Sequence, residues 1–393
     1  MTRTDNNRRW LQLLSLLMAF GLVAAACGSS SDGDAGADDG DDGTSEGDGE
    51  AMAEGSFADC PNPLVIQTDW FPEPEHGAVY NLTAGEGSVD PESGRFSGPL
   101  AADPSITVEV RAGGPFLGDQ TTIAVMATDD DIFLGYVNTD EAINNYADFP
   151  TTAVFAPLDI NPQIIMFDPE TYPISSWDEV KDTGAVIAHF GGATYTEFLA
   201  GSGLVDADQL DGSYDGAPTR FIAEGGALMQ QGFATQEPYN YENVFTEWGK
   251  PVDFLLIHDA GFEIYQGPLT ILDSKLDDAA QSCLSALVPA LQQSAVDFQN
   301  DPSATNAAIV QAVTDIDSFW QLDDASVANA ASEMGRLNFV GNGPNATLGD
   351  FDMDRVAEVI KITQEQVPSI NVPDGITAED LVTNAYIDES IGL

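Results

Sequence analysis

Ten residues, Asp69-Trp70-Phe71-Pro72-Glu73-Pro74-Glu75-His76-Gly77-Ala78, crowd two aromatic rings, carboxylates, two prolines and an imidazole into one turn. Proline fixes φ and removes backbone donors, so the turn is stiff and holds its side chains in set directions. Such a set suits non-covalent capture. A ring stacks on a flat molecule, while carboxylate and imidazole meet its N–H groups. Trp70 and Phe71 can each serve core or cleft, and only one needs to face a ligand. His76 reads either as a polar ligand contact or as a cap on the following helix. Glu73 and Glu75 divide between solvent and acceptance from ligand N–H groups.

Further along, Gly191-Gly192-Ala193-Thr194-Tyr195-Thr196-Glu197 places glycines before a helix start, with Thr194 and Glu197 spaced as a capping box. Glycines there let a ligand approach the free N–H groups of the helix. Gly191, Gly192, Thr194, Tyr195 and Glu237 are the candidates from this later part of the chain, with Asp130 at a strand end as a further one. Arg111 and Arg220 are the bases that could meet an anion.

These residues need elements to position them. Leu64–Thr68 reads as a strand entering the aromatic turn, and Ala78–Ala84 as the helix leaving it. Ile106–Val110, Thr121–Met126, Ala153–Pro157, Gln163–Phe167 and Gly184–Phe190 read as further strands, and an apolar helix is expected from Ile132. Ser176-Trp177-Asp178-Glu179 is a capping box opening a short helix. From Leu276 onward the pattern is mostly helical, as in 279–298, 304–319, 325–334 and 354–366. Alternation of strands and helices predicts an α/β fold with parallel sheets and right-handed crossovers. In such sheets a ligand sits beyond the carboxyl ends of the strands, where the aromatic turn lies.

Charge narrows the function. The 393 residues hold 65 Asp and Glu against 12 Lys and Arg, and residues 58–393 alone keep 54 acids against nine bases. A nucleic-acid partner is excluded, because phosphate neutralisation needs clustered Lys and Arg. A body this acidic also repels anions at long range unless salt screens it. Aromatics and carboxylates suit a neutral or cationic flat heterocycle better. Enzymatic chemistry has little support. The histidines are His76, His189 and His258, and there is no nucleophile elbow, nucleotide loop or H-E-x-x-H motif. Neither a cofactor nor a metal is expected in this reading; the alternative from another class is a metal-binding surface lipoprotein using His76, His258 and carboxylates.

The amino-terminal residues are read as processing rather than fold. Arg3, Arg8 and Arg9 precede an apolar run at 10–23, and Ala24-Ala25-Ala26 lead into Cys27. This resembles a bacterial lipoprotein signal with Cys27 lipidated, although Ala24 stands where such signals usually carry Leu. Residues 28–59 are mostly Gly, Ser, Asp, Glu and Ala with almost no larger apolar side chains, and read as a flexible, self-repelling tether. If Cys27 carries lipid, Cys60 and Cys283 remain as a pair in an oxidising location, either bonded or as two buried thiols.

Asp69-Trp70-Phe71-Pro72 with His76-Gly77 resembles the opening motif of class II solute-binding proteins of ABC importers, in the nitrate, sulfonate and thiamine-precursor branch. Segments 176–181, 191–192, 230–238 and 287–292 are similar to the same family in the same order, so the resemblance spans residues 62–299. It implies a two-lobed class II periplasmic-binding-protein fold with a central cleft and hinge. Lobe 1 would be 60–166 plus 264–393, and lobe 2 would be 167–263. It further implies a monomer, lipid-anchored on the cell surface or in the periplasm, that passes a small molecule to ABC permease subunits. Trp70, Pro72 and His76 look most like binders of thiamine-precursor pyrimidines. Sulfonate, nitrate and flavin-like ligands are the alternatives. Glu73 and Glu75 depart from the family, where asparagine is common. The pyrimidine synthases that share this fold hold iron in a cysteine-rich segment, and this chain has none.

Overall fold

The computed structural model describes residues 55–118 and 120–393, which form one compact unit. The signal sequence, Cys27 and most of the tether lie outside the described residues. Residues 55–59, assigned to the tether by composition, already belong to the body. Phe57–Asp59 makes one helical turn, and the Ser56 amide donates to the Ser282 carbonyl at 3.2 Å.

Two sheets carry the architecture. The first has seven strands: β1 (Leu64–Gln67), β2 (Ser88–Asp90), β3 (Arg95–Pro99), β4 (Thr107–Arg111), β5 (Ile132–Tyr136), β6 (Thr151–Phe155) and β12 (Leu269–Leu272). Their spatial order is β2-β3-β4-β1-β5-β12-β6. The central pairs β4–β1 and β1–β5 are parallel, while β12 returns antiparallel between β5 and β6. β1 and β5 are buried at every position. That is why they read as unbroken apolar runs without alternation. The second sheet has β7 (Gln163–Phe167), β8 (Ile187–Ala188), β9 (Leu210–Asp211), β10 (Met229–Phe233) and β11 (Asp253–Leu256), in the order β11-β7-β10-β8-β9.

Three expectations change. Residues 163–166, placed with the first lobe by sequence, lie in β7 and pair with β10 and β11 of the second sheet. Thr122–Met126 is a helix, with the Thr121 hydroxyl accepting from the Ala124 amide, and Ile132–Tyr136 is a strand. The two had been read the other way round. Ile123 and Met126 are both buried three residues apart, which is helical spacing, whereas burial on both faces hid the strand period of 132–136. Thr194 and Glu197 do not form a capping box. The Thr194 hydroxyl donates to Asp140, and the Glu197 carboxylate accepts from the Ser369 amide at 3.0 Å. The box at Ser176 does form, with Glu179 accepting from the Ser176 amide at 3.2 Å.

The carboxyl-terminal third is helical: Asp278–Asn300, Ser303–Ile316, Asp324–Arg336 and Met353–Gln366. The first of these buries Cys283, Leu287, Leu291, Ala295 and Phe298 on one stripe. Cys60 and Cys283 are bonded, Cα to Cα 4.7 Å, so the start of the body is tied to that helix. The final segment returns to the free edge of β6, where Ala153 exchanges backbone bonds with Leu381 and Thr383.

The chain crosses between the sheets at 156–162 and again at 257–268. Arg355, on the helix Met353–Gln366, touches both crossings. Its guanidinium donates to the carbonyls of Glu263 (2.6 Å) and Ile264 (3.1 Å), meets the Asp159 carboxylate at 3.2 Å, and lies 3.9 Å over the Tyr265 ring.

Candidate functional site

The turn after β1 is held open by close backbone contact. The Gly113 amide donates to the Trp70 carbonyl at 2.7 Å, and the Gly114 amide to the Asp69 carbonyl at 2.9 Å. A Cβ on Gly113 would lie 2.3 Å from the Asp69 carbonyl carbon, so only glycine permits this approach. Gly114 also has φ +58°. The two aromatics divide. Phe71 is 2% exposed and packs with Phe116, Phe319 and Trp320, so it is core. Trp70 borders a cavity of about 490 Å³ between the two sheets, its ring 6.3 Å from Phe190 of the opposite wall.

His76 is buried in this wall. Its Nε2 lies 2.8 Å from Asp69 and 3.8 Å from Glu73, and its ring meets Tyr136 edge-on at 4.7 Å. It caps no helix by its side chain. Glu73 and Glu75 are both buried rather than split between ligand and solvent. One Glu75 oxygen accepts from the Thr235 hydroxyl of the second-sheet side, and the Gln236 side chain lies beside the same carboxyl.

The opposite wall comes from the second sheet. Gly191 and Gly192 follow Phe190 and line the cavity, Gly192 with φ +83°. Glu237 opens a short helix and accepts from the Phe233 amide at 2.6 Å. Tyr195 stands behind the lining. Its hydroxyl donates to Gln231 Oε1 at 2.9 Å, an oxygen that also accepts from the Phe190 amide. Thr194 is turned away to Asp140, which joins the two walls at another point. Asp130 is not in the site. It is exposed, and its carbonyl accepts from Lys275. The structure therefore gathers Trp70, Glu73, His76, Gly191, Gly192 and Glu237 around one cavity, and leaves Phe71, Thr194, Tyr195 and Asp130 outside its lining.

Several lining residues carried no usable sequence signal. Phe319 and Trp320 follow the helix Ser303–Ile316, which stops short of its expected end because Asp317 adopts a left-handed conformation, φ 50°. The freed loop brings Trp320 to the turn, where its indole N–H donates to the Pro72 carbonyl at 3.3 Å and its ring meets Trp70. Asn138, Glu141, Tyr136, Tyr214, Gln231 and Gln236 also line the cavity. Asp69 was within the motif but was not singled out as a contact, and Glu75 was weighed only as one of a pair with Glu73.

No protein-family model and no curated protein matches the sequence. Solved structures do. The chain is similar to the periplasmic aliphatic sulphonate binding protein of Escherichia coli (TM-score 0.54, 13% identity, 83% of this chain and 99% of that one). It is also similar to a zinc-bound ligand-binding component of an ABC-type import system from Staphylococcus aureus (TM-score 0.51, 14% identity, 84% and 100%). A third similar structure is a protein of Bordetella bronchiseptica (TM-score 0.52, 12% identity, 83% and 96%). The chain has the periplasmic-binding-protein fold.

Within this periplasmic-binding-protein fold the cavity lies beyond the carboxyl end of β1, enclosed by both sheets. Its electrostatics are one-sided. Asp69, Glu73, Glu75, Glu141 and Glu237 line it, and none of the described lining residues is Lys or Arg. Arg111 is engaged by Glu109 and Asp129, and Arg220 by Asp211 and Glu224. Burial holds the Glu73 carboxyl well above the ordinary range, with Glu75, Asp69 and Glu237 adding to the rise. Burial raises Glu75 too, partly offset by the Thr235 hydroxyl. Glu237 is pushed up to about 7 by burial, with a smaller push from Glu75. Glu141 is pushed up to about 8 by burial, then by Asp140 and Asp69. Such an enclosure can bind and orient a ligand. It offers no nucleophile paired with a base.

Proposed function

We propose that this protein is the extracytoplasmic solute-binding component of an ABC importer, capturing a small flat heterocycle such as a thiamine-precursor pyrimidine between its two lobes. One observation carries the reading. A cavity of about 490 Å³, within the usual range for small-molecule sites, is bounded on one side by Trp70 and on the other by Phe190. Aromatic side chains on both walls, with the Trp70 and Phe190 rings tilted 53° to one another, and a set of N–H acceptors fit a planar ring with amino or ring N–H groups packed beside them. Contacts from Thr235 to Glu75 and from Thr194 to Asp140 join the walls, and a ligand that favours this joined state over an open one shifts the population toward it. The lipid anchor at Cys27, the permease partner, the monomeric state and the location at the cell surface or in the periplasm belong to the same proposal. The alternative ligand, an alkyl sulfonate, has the Escherichia coli fold relative in its favour. The carboxylate-lined cavity counts against it, since a sulfonate is anionic.

A thermal-shift screen followed by calorimetry tests the proposal. Thiamine-precursor pyrimidines are expected to raise the melting temperature. Silence with pyrimidines and a clear shift with an alkyl sulfonate, nitrate or a flavin would overturn the ligand assignment.

A further inference from the structure

We propose, resting on the solute-binding reading, that the ligand is an organic cation: a planar or compact apolar body carrying a positively charged nitrogen, held by carboxylates and aromatic faces. The cavity supplies negative groups from every side. Asp69, Glu73 and Glu75 come from the turn after β1, Glu141 from the helix Thr139–Asn145, and Glu237 from the helix Glu237–Asn243. The titratable neighbours behind them are His76, whose Nε2 is committed to Asp69, and Asp140, which accepts from Thr194. No described Lys or Arg reaches the lining.

An independent observation points to a missing partner. Gln236 is 3% exposed and borders the cavity; its amide nitrogen lies beside the Glu75 carboxyl, and its oxygen has no hydrogen-bond partner. The Tyr136 hydroxyl, also buried in the lining, is likewise unpartnered. Buried polar groups are normally satisfied, so an enclosure with such orphans is shaped for something polar that is absent. The orphans alone allow a neutral or a charged guest. The charge decides between them.

An anion enclosed here would add repulsion to the crowded acids, and a neutral guest would leave unmet the lone pairs not already taken by His76, the Thr235 hydroxyl and the Asn138 and Phe233 amides. A cation relieves both costs. It also finds four aromatic side chains in the lining, Trp70, Phe190, Tyr214 and Trp320, and an aromatic ring attracts a cation placed over its face. The groups raised furthest, among them Glu237 and Glu141, hold protons near neutrality without a ligand. A cation favours their ionised forms, so its entry drives those protons into solvent. Affinity must then rise with pH between about 6 and about 8.5, and fall with added salt.

The test is a thermal-shift screen of small heterocycles sorted by charge on the purified protein, anchored by 1-methylnicotinamide, nicotinamide and pyridine-3-sulfonate as cationic, neutral and anionic members of one ring series. Cationic compounds are expected as the hits, bound at least tenfold more tightly than their neutral isosteres. Calorimetry at pH 7 in phosphate and in Tris is expected to give different heats, reporting proton release. Glu75→Gln and Glu141→Gln are each expected to weaken a cationic hit tenfold or more, with melting retained. Neutral or sulfonate hits, with equal heats in both buffers and unchanged binding by the variants, would overturn the cation inference and leave solute capture standing. Silence across all three charge classes would overturn both readings.

Discussion

Replacing Arg355 by Met removes a cation that touches both crossings between the sheets while keeping an apolar stem of similar length. The side chain is 10% exposed and its partner Asp159 18% exposed, so solvent screens the pair weakly. Two charged bonds to the carbonyls of Glu263 and Ile264 are lost, each worth roughly 1.5–3 kcal/mol, with about 1 kcal/mol more from the Tyr265 face. These terms are not additive, and stripping one partner from a buried pair typically costs about 3–5 kcal/mol, which is the loss expected for R355M. Asp159 behaves differently. Burial holds its carboxyl above the ordinary range even though Arg355 pulls it down, so the pair does not repay the desolvation of the acid. Asp159→Asn is therefore expected to cost less than about 1 kcal/mol, and to restore part of the loss when combined with R355M. Urea unfolding followed by circular dichroism measures all three variants. R355M within about 1 kcal/mol of the parent, or D159N as damaging as R355M, would refute the reasoning.

Three further outcomes are expected. Trp70→Ala should leave the melting temperature nearly unchanged and weaken any cavity ligand tenfold or more, whereas Phe71→Ala should destabilise by about 3–5 kcal/mol, as core phenylalanine truncations do; unfolding and calorimetry on both variants check the division. Breaking the Cys60–Cys283 bond, by reduction or by paired Cys→Ser changes, should cost up to about 5 kcal/mol because 223 residues separate its ends; identical unfolding curves with and without reductant would contradict this. Without ligand, the raised carboxyls bind more protons in the folded state than in the unfolded one, so the stability they contribute is complete below about pH 4.3 and is lost as pH rises through about 7 for Glu237 and about 8 for Glu141. Melting temperature should fall across that window, and Glu237→Gln or Glu141→Gln should flatten the decline.

The aromatic turn was legible because proline, glycine and ring residues act locally. Leu64–Gln67, the turn and the helix after it follow from neighbours in sequence, and so does the capping box at Ser176. The misreading of 132–136 arose from burial on two faces, which erases the alternation that distinguishes a strand, whereas 122–126 is a helix of five residues, too short to show its period clearly. Thr194 looked like a cap because its spacing to Glu197 was right, yet a buried carboxylate 54 residues away, Asp140, takes its hydroxyl. Trp320 was invisible as a site residue for a similar reason. Its place depends on where a helix ends and on a carbonyl 248 residues distant. The collective charge of the cavity was the least legible feature. Glu73, Glu75 and Glu237 could be weighed one by one, but Asp69 and Glu141 looked like two more among 65, and only the fold brings the five to one cavity.

The attachment of the amino-terminal end has a mechanical consequence. Ser56, Asp59 and Cys60 are fastened to successive positions of one long helix, by the Ser56–Ser282 backbone bond, the Ser282–Asp59 side-chain bond and the Cys60–Cys283 link. Tension arriving from the amino-terminal side is therefore delivered into the helix Asp278–Asn300 before it can reach β1, and a covalent bond bears it. The crossings at 156–162 and 257–268 lie off that load path.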